Sequence, residues 1–115
     1  MEGIETGRKI WNLVRAIFVM QGRTREVEKF SGYMYKPGAS CAHNSPSLPV
    51  YNGGEWGWKN CSDLYLSEEG VERWKTAFYD LEGWNSRTGY PKRETLERLG
   101  LKDVADVLQS RGKLG

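Results

Sequence analysis

Ile10, Leu13, Val14, Ile17 and Phe18 recur at i, i+3, i+4, i+7 and i+8, which puts their side chains on one stripe of a helix. Thr6 offers an N-cap hydroxyl and Gln21-Gly22 a stop, so the pattern predicts a first helix over about 6–21. Trp11 and Arg15 fall off the stripe, which suggests cover on two sides. A second long helix is predicted from Ser67. This serine is an N-cap, Glu68 and Glu69 suit the positive end of the helix dipole, and Leu66 can staple onto Val71. Val71, Trp74, Phe78 and Leu81 then mark a core face that ends at Gly83. After Pro91 a short helix turns Leu96 and Leu99 inward. With Gly100 just past its end, Leu101 is expected to fold back onto Leu96 in a Schellman ending. A last helix presents Val104, Ala105 and Leu108 and closes at Gly112, so the C-terminal helices cover about 67–112.

Between these helices the period disappears. Residues 31–63 hold Pro37, Pro46 and Pro49 among several glycines, and the rings of Tyr33, Tyr35, Tyr51, Trp56 and Trp58. An irregular segment of that length is uncommon inside a compact domain, and its aromatics are unlike those of a free linker. It is expected to be an ordered excursion packed on another surface. No strand is predicted. The expected fold class is all-α: one domain or fragment over 1–115, several helices with a long irregular Gly/Pro/aromatic-rich insertion.

Composition narrows the function classes. The chain has 115 residues, 38% hydrophobic and 28% charged, as in globular proteins. The longest apolar run, Ala16 to Met20, is far too short to span a bilayer, and no export signal is visible, so a cytoplasmic protein with no membrane partner is expected. A net charge of +2 is too small to imply a polyanion, and no nucleic-acid partner is expected. The basic opening (Arg8, Lys9, Arg15, Arg23, Arg25) is interrupted by Glu26 and Glu28, and reads as a solvated mixed-charge surface.

Candidate chemistry is thin. Cys41, His43 and Cys61 are the weak metal candidates, three borderline ligands without the fourth, tightly paired partner of a structural zinc site. His43 is the sole histidine, so any His-dependent nucleophile must run through it, and nothing nearby suggests an oxyanion hole. The alternative is two reduced thiols and an ordinary loop histidine. The two tryptophans of YNGGEWGWKNC could stack on a base or a pterin, yet the near-neutral charge and the absence of a phosphate fingerprint favour rings packed on protein. The segment from Gly83-Trp84 to Pro91 reads as a structural hinge between helices, with Trp84 over the end of the core and Asn85 and Thr88 bonding backbone.

Two blocks carry a resemblance. LEGWNSRTGYPKRETLERLGLKDVADVLQSRGKLG resembles the C-terminal end of the aldehyde ferredoxin oxidoreductase family, with its Gly-Trp, Thr-Gly, Pro and Leu-Gly-Leu in order. ETGRKIWNLVRAIFVMQGRTRE resembles an earlier family segment through Arg8, Ile10 to Leu13, Arg15 and Gly22 to Arg25. The resemblance implies a tungsten, sometimes molybdenum, enzyme that holds a metal bis-pterin and a four-iron–four-sulfur cluster. It implies oxidation of aldehydes to acids with electrons passed to ferredoxin. The family's cofactor-binding domain and catalytic side chains lie upstream of both blocks. No catalytic, cofactor-binding or metal residue is therefore expected in this chain, and Cys41 and Cys61 match no family cluster ligand. The expectation is a C-terminal segment or split subunit that walls the active site, with the remainder of the enzyme as partner and ferredoxin as an indirect one. The alternatives are a stand-alone helical interaction module derived from the family, or a relative of the branch that reduces benzoyl-coenzyme A, since the 31–63 segment departs from the family pattern.

Overall fold

A computed structural model describes residues 1–36, 47–60 and 65–115. The chain divides into two units: Met1–Glu28 with Arg73–Gly115, and Lys29–Glu72.

The first unit is helical. It contains α1 (Glu2–Met20), most of α2 (Glu68–Glu82), α3 (Arg93–Arg98) and α4 (Lys102–Ser110). Helix α1 begins four residues before the expected Thr6 cap, with Met1 as its N-cap residue, so Thr6 lies inside it. All four helices end in the same way. At each end one amide bonds back across the last turn, Arg23 to Phe18 (2.9 Å), Trp84 to Tyr79 (2.8 Å), Leu101 to Leu96 (2.8 Å) and Lys113 to Leu108 (2.8 Å), with a glycine just before it. These are Schellman endings, and the glycines take the left-handed conformation they require, with φ 72° at Gly83 and 71° at Gly100.

The core of this unit is small. Ala16 and Val19 of α1, Leu96 and Leu101 around α3, and Ala105 and Leu108 of α4 form one buried cluster, flanked by Tyr90, Leu99, Val104 and Leu114. Outside it, Arg93 bonds Glu97 (3.0 Å) and Asp106 (2.9 Å), and Lys102 bonds Asp106 (2.8 Å), tying α3 to α4 at the surface. Lys113 donates to the carbonyl of Val19 at 3.0 Å, which caps the C-terminal end of α1 with a cation.

The faces of both long helices differ from the periodicity reading. On α1 the buried residues are Asn12, Arg15, Ala16 and Val19, while Ile10, Leu13, Ile17 and Phe18 are exposed and Val14 is half-buried. On α2 the buried residues are Lys75 and Tyr79, while Trp74 is 62% and Leu81 70% exposed. The covered face lies about half a turn from the expected one on α1 and about a quarter to a third of a turn from it on α2. Pattern analysis assumes that the most apolar stripe is the one covered, and here polar contacts within the unit decide instead.

The second unit overturns the all-α expectation. Strands β1 (Ser47–Asn52) and β2 (Glu55–Asn60) form an antiparallel hairpin inside the stretch read as irregular, paired from Ser47↔Asn60 to Asn52↔Glu55. Gly53 and Gly54, at φ 62° and 99°, form its two-residue loop, the geometry that matches strand twist and needs left-handed residues. Pro49 lies in β1, a terminal position in a sheet of two strands, where a missing N–H costs little. The chain is therefore mixed α and β. Elsewhere in this unit a 3-10 turn lies at Gly32–Tyr35, and the first unit has another at Arg25–Val27. The Leu66 amide bonds Met34 O at 2.9 Å, and Ser67 Oγ accepts from Gly70 N at 3.1 Å as the N-cap of α2. No helix among the described residues is long and apolar enough to cross a membrane.

Candidate functional site

The densest polar structure in the chain surrounds Arg15. Its guanidinium is 5% exposed and uses four of its five N–H donors: Nε and Nη2 reach the carbonyl of Gly89 at 2.9 and 2.8 Å, Nη2 reaches Glu28 Oε2 at 3.0 Å, and Nη1 bonds Glu28 Oε1. This bidentate fork on a carboxylate is a strong charge-assisted arrangement, and Lys could not reproduce it. The same guanidinium lies 4.3 Å from the Trp84 ring centre and 5.3 Å from that of Tyr79, with cation–π contact to both.

Glu28 also accepts from the hydroxyl of Tyr79 and faces Arg23 at 3.5 Å. Burial alone would push its carboxyl up. The hydrogen bonds from Arg15 and Tyr79, with the charges of Arg15 and Arg23, outweigh it and hold Glu28 below the usual carboxylate range. Burial, then the bond to the Glu28 carboxylate, pushes the Tyr79 phenol up to about 12. At neutral pH one group is therefore an anion and the other a protonated donor. Neither is placed to exchange a proton with a substrate, since their lone pairs and hydrogens are already used within the cluster.

The cluster fastens the segment between α2 and α3. Trp84, 1% exposed, donates from Nε1 to Asn12 Oδ1 at 2.8 Å, and Asn12 donates to the Arg8 carbonyl at 3.0 Å. Arg25 pairs its amide with Thr88 O (2.9 Å) and its guanidinium with Ser86 O (2.6 Å). Lys75 Nζ donates to the carbonyls of Arg25 (3.1 Å) and Glu28 (2.9 Å). Within the segment, Asn85 Oδ1 accepts from the amides of Arg87 (2.9 Å) and Thr88 (3.2 Å), and Thr88 Oγ1 from that of Tyr90 (3.2 Å), the side-chain-to-backbone bonds expected of these residues. Thr95 Oγ1 donates to Gly83 O at 2.8 Å. A side chain at Gly89 has no room, because its Cβ would stand 2.4 Å from Arg15 Nη2, and φ there is 76°. With this many bonds the segment is a clasp rather than a free hinge.

A family model described as aldehyde ferredoxin oxidoreductase, domains 2 & 3, matches residues 2–101 of this chain. The chain belongs to that family. The matched span takes in α1, the hairpin, α2, the clasp and α3, so the hairpin lies within the family region. No solved structure matches the chain. For the aldehyde ferredoxin oxidoreductase segment in hand, the described residues bring no three His, Cys, Asp or Glu side chains together where a metal could sit. Cys41, His43 and Cys61 lie outside the described residues.

Sequence reasoning placed Arg15 off the apolar stripe but read the opening charges as solvated surface. Arg15 and Glu28 are instead a largely buried ion pair, with side chains 5% and 20% exposed. Lys75 and Tyr79 were not singled out. The usable signal was spacing: Asn12, Arg15 and Val19 share one face of α1, as Lys75 and Tyr79 share one face of α2.

Proposed function

We propose that this chain is a helical walling segment of a tungsten-dependent aldehyde:ferredoxin oxidoreductase-like enzyme, either its C-terminal portion or a split subunit. In this reading the bis-pterin, the iron–sulfur cluster and the catalytic side chains belong to the remainder of the enzyme. The segment packs against that remainder and helps keep water from the substrate, which strengthens the electrostatics acting on it. Ferredoxin is met only through the assembled enzyme.

One observation carries the reading beyond family membership. The unit closes on its polar faces, through Arg15, Glu28, Lys75 and Tyr79, and turns its large apolar side chains outward. Leu13, Ile17 and Met20 of α1 and Val104 and Val107 of α4 line a groove of about 430 Å³ floored by Ala16 and Leu108. On α2, Trp74 stacks on Phe78 at 5.5 Å and stands open to solvent. Continuous apolar faces of this kind are what a piece of a larger protein presents to its neighbour.

The test is to express this chain together with the polypeptide encoded immediately upstream at its locus. The expected result is co-purification, with aldehyde oxidation that needs both parts and is lost when either is withheld. A chain that purifies as a stable monomer beside an upstream polypeptide lacking the cluster cysteines would instead favour the stand-alone module.

A further inference from the structure

At the C-terminal end of the exposed α2 face, the first unit holds a second cleft, of about 620 Å³, between the opening turns of α1, the end of α2 and α3. Its volume lies in the range of small-molecule sites. Leu81 and Leu99 provide an apolar side, and Arg8, Lys9 and Arg98 provide three cations against two carboxylates, Glu5 in the lining and Glu82 beside Arg8. Arg8 is steadied by Glu82, its Nη1 3.7 Å from a carboxylate oxygen that accepts no hydrogen bond among the described residues. Lys9 brings its ammonium to the end of α3, close enough that a Cβ on Gly100 would lie 3.6 Å from Nζ. Neither Lys9 nor Arg98 has a hydrogen-bonding or ion-pair partner for its side chain among the described residues.

A concave surface with excess positive charge beside low-dielectric walls concentrates anions. Structural salt bridging among the described residues does not account for the cations, because two of the three have no partner there. An inorganic anion leaves Leu81 unused, and an uncharged apolar molecule leaves Lys9 and Arg98 unused. We propose that this cleft binds a small amphipathic anion, one carboxylate or phosphate head on a short apolar body. The head lies among Arg8, Lys9 and Arg98, and the body lies along Leu81 and Leu99. The cleft lies wholly within the first unit, so its binding is tested on the isolated chain, separately from the assembly proposed above.

The test uses the full chain, isotope-labelled, with hexanoate, hexyl phosphate, 1-hexanol and inorganic phosphate as NMR titration probes. Saturable shifts at Arg8, Lys9, Leu81 and Arg98 with hexanoate or hexyl phosphate support the proposal, and the stronger of the two identifies the head. Lys9→Gln and Arg98→Gln should each weaken that binding about fivefold, the effect of one exposed ion pair, while Arg111→Gln should leave it unchanged. An unaltered near-UV circular dichroism spectrum from the tryptophans confirms that each variant is folded. Hexanol binding as tightly as hexanoate, inorganic phosphate shifting the same amides equally, or unweakened binding by both cleft variants would overturn it, as would the absence of saturable binding.

Discussion

Replacing Glu28 by glutamine removes one negative charge from between Arg15, Arg23 and Tyr79, and leaves the guanidinium of Arg15 buried without its counter-ion. Breaking a buried pair from one side usually costs several kcal/mol, and the partial exposure of Glu28 places this case at about 3 kcal/mol, measurable by urea unfolding. The pH dependence follows from the same contacts. Glu28 is held below the ordinary carboxyl value of 4.5, so its contribution is complete above that pH and is lost as the pH falls through the lower folded value. Glu28→Gln should therefore flatten the acid limb of the stability curve. Tyr79 titrates at about 12 against an ordinary 10.0, so its contribution is complete below pH 10.0 and is lost as the pH rises through 12. Tyr79→Phe should flatten the alkaline limb, and it should remove a late-ionising phenol from the ultraviolet titration of the chain. At Gly89, alanine meets both a left-handed φ and Arg15 Nη2. A loss of about 2–4 kcal/mol is expected by the same denaturation measurement, with the clasp opened.

At the scale of the elements, the helix ends were legible and the helix faces were not. Gly22, Gly83, Gly100 and Gly112 punctuate the chain because a Schellman ending is a local structure, set by a few neighbouring residues. Ser67 was readable for the same reason, and Ser67→Ala should lower stability by about 1 kcal/mol in thermal unfolding. Which face of a helix is covered depends on partners distant in sequence: Arg15 meets Gly89, and Trp84 meets Asn12. An apolar stripe reports a surface that wants cover without naming what covers it, so Ile10, Leu13, Ile17, Trp74 and Leu81 were taken for this unit's own core. The hairpin was missed for another reason. Gly53-Gly54 between Tyr51 and Trp56 is a recognisable two-residue turn, but the nearby prolines and glycines masked the strands on either side. The Arg15 cluster was legible only as an off-stripe residue, since nothing local to Glu28 or Tyr79 announces their contact.

Taken whole, the first unit has an aliphatic cluster of six small-to-medium side chains, buries Tyr79 and Trp84 beside its polar contacts, and leaves several other large apolar side chains exposed. That distribution is unfavourable for a free-standing protein and ordinary for part of a larger one. It separates two sets of substitutions. Val19→Ala and Leu108→Ala, at positions with no exposure, should each cost about 2–4 kcal/mol in the isolated chain. Serine at Leu13, Ile17 and Val107, which are 40%, 49% and 50% exposed, should change its stability by less than about 1 kcal/mol for each residue. The most direct test of the outward-facing apolar surface is sedimentation of the isolated chain, with and without the Leu13→Ser, Ile17→Ser and Val107→Ser triple substitution. The account predicts concentration-dependent self-association of the parent chain, and a folded monomer for the triple variant. A parent chain that stays monomeric at high concentration, or a triple variant that unfolds, would contradict it.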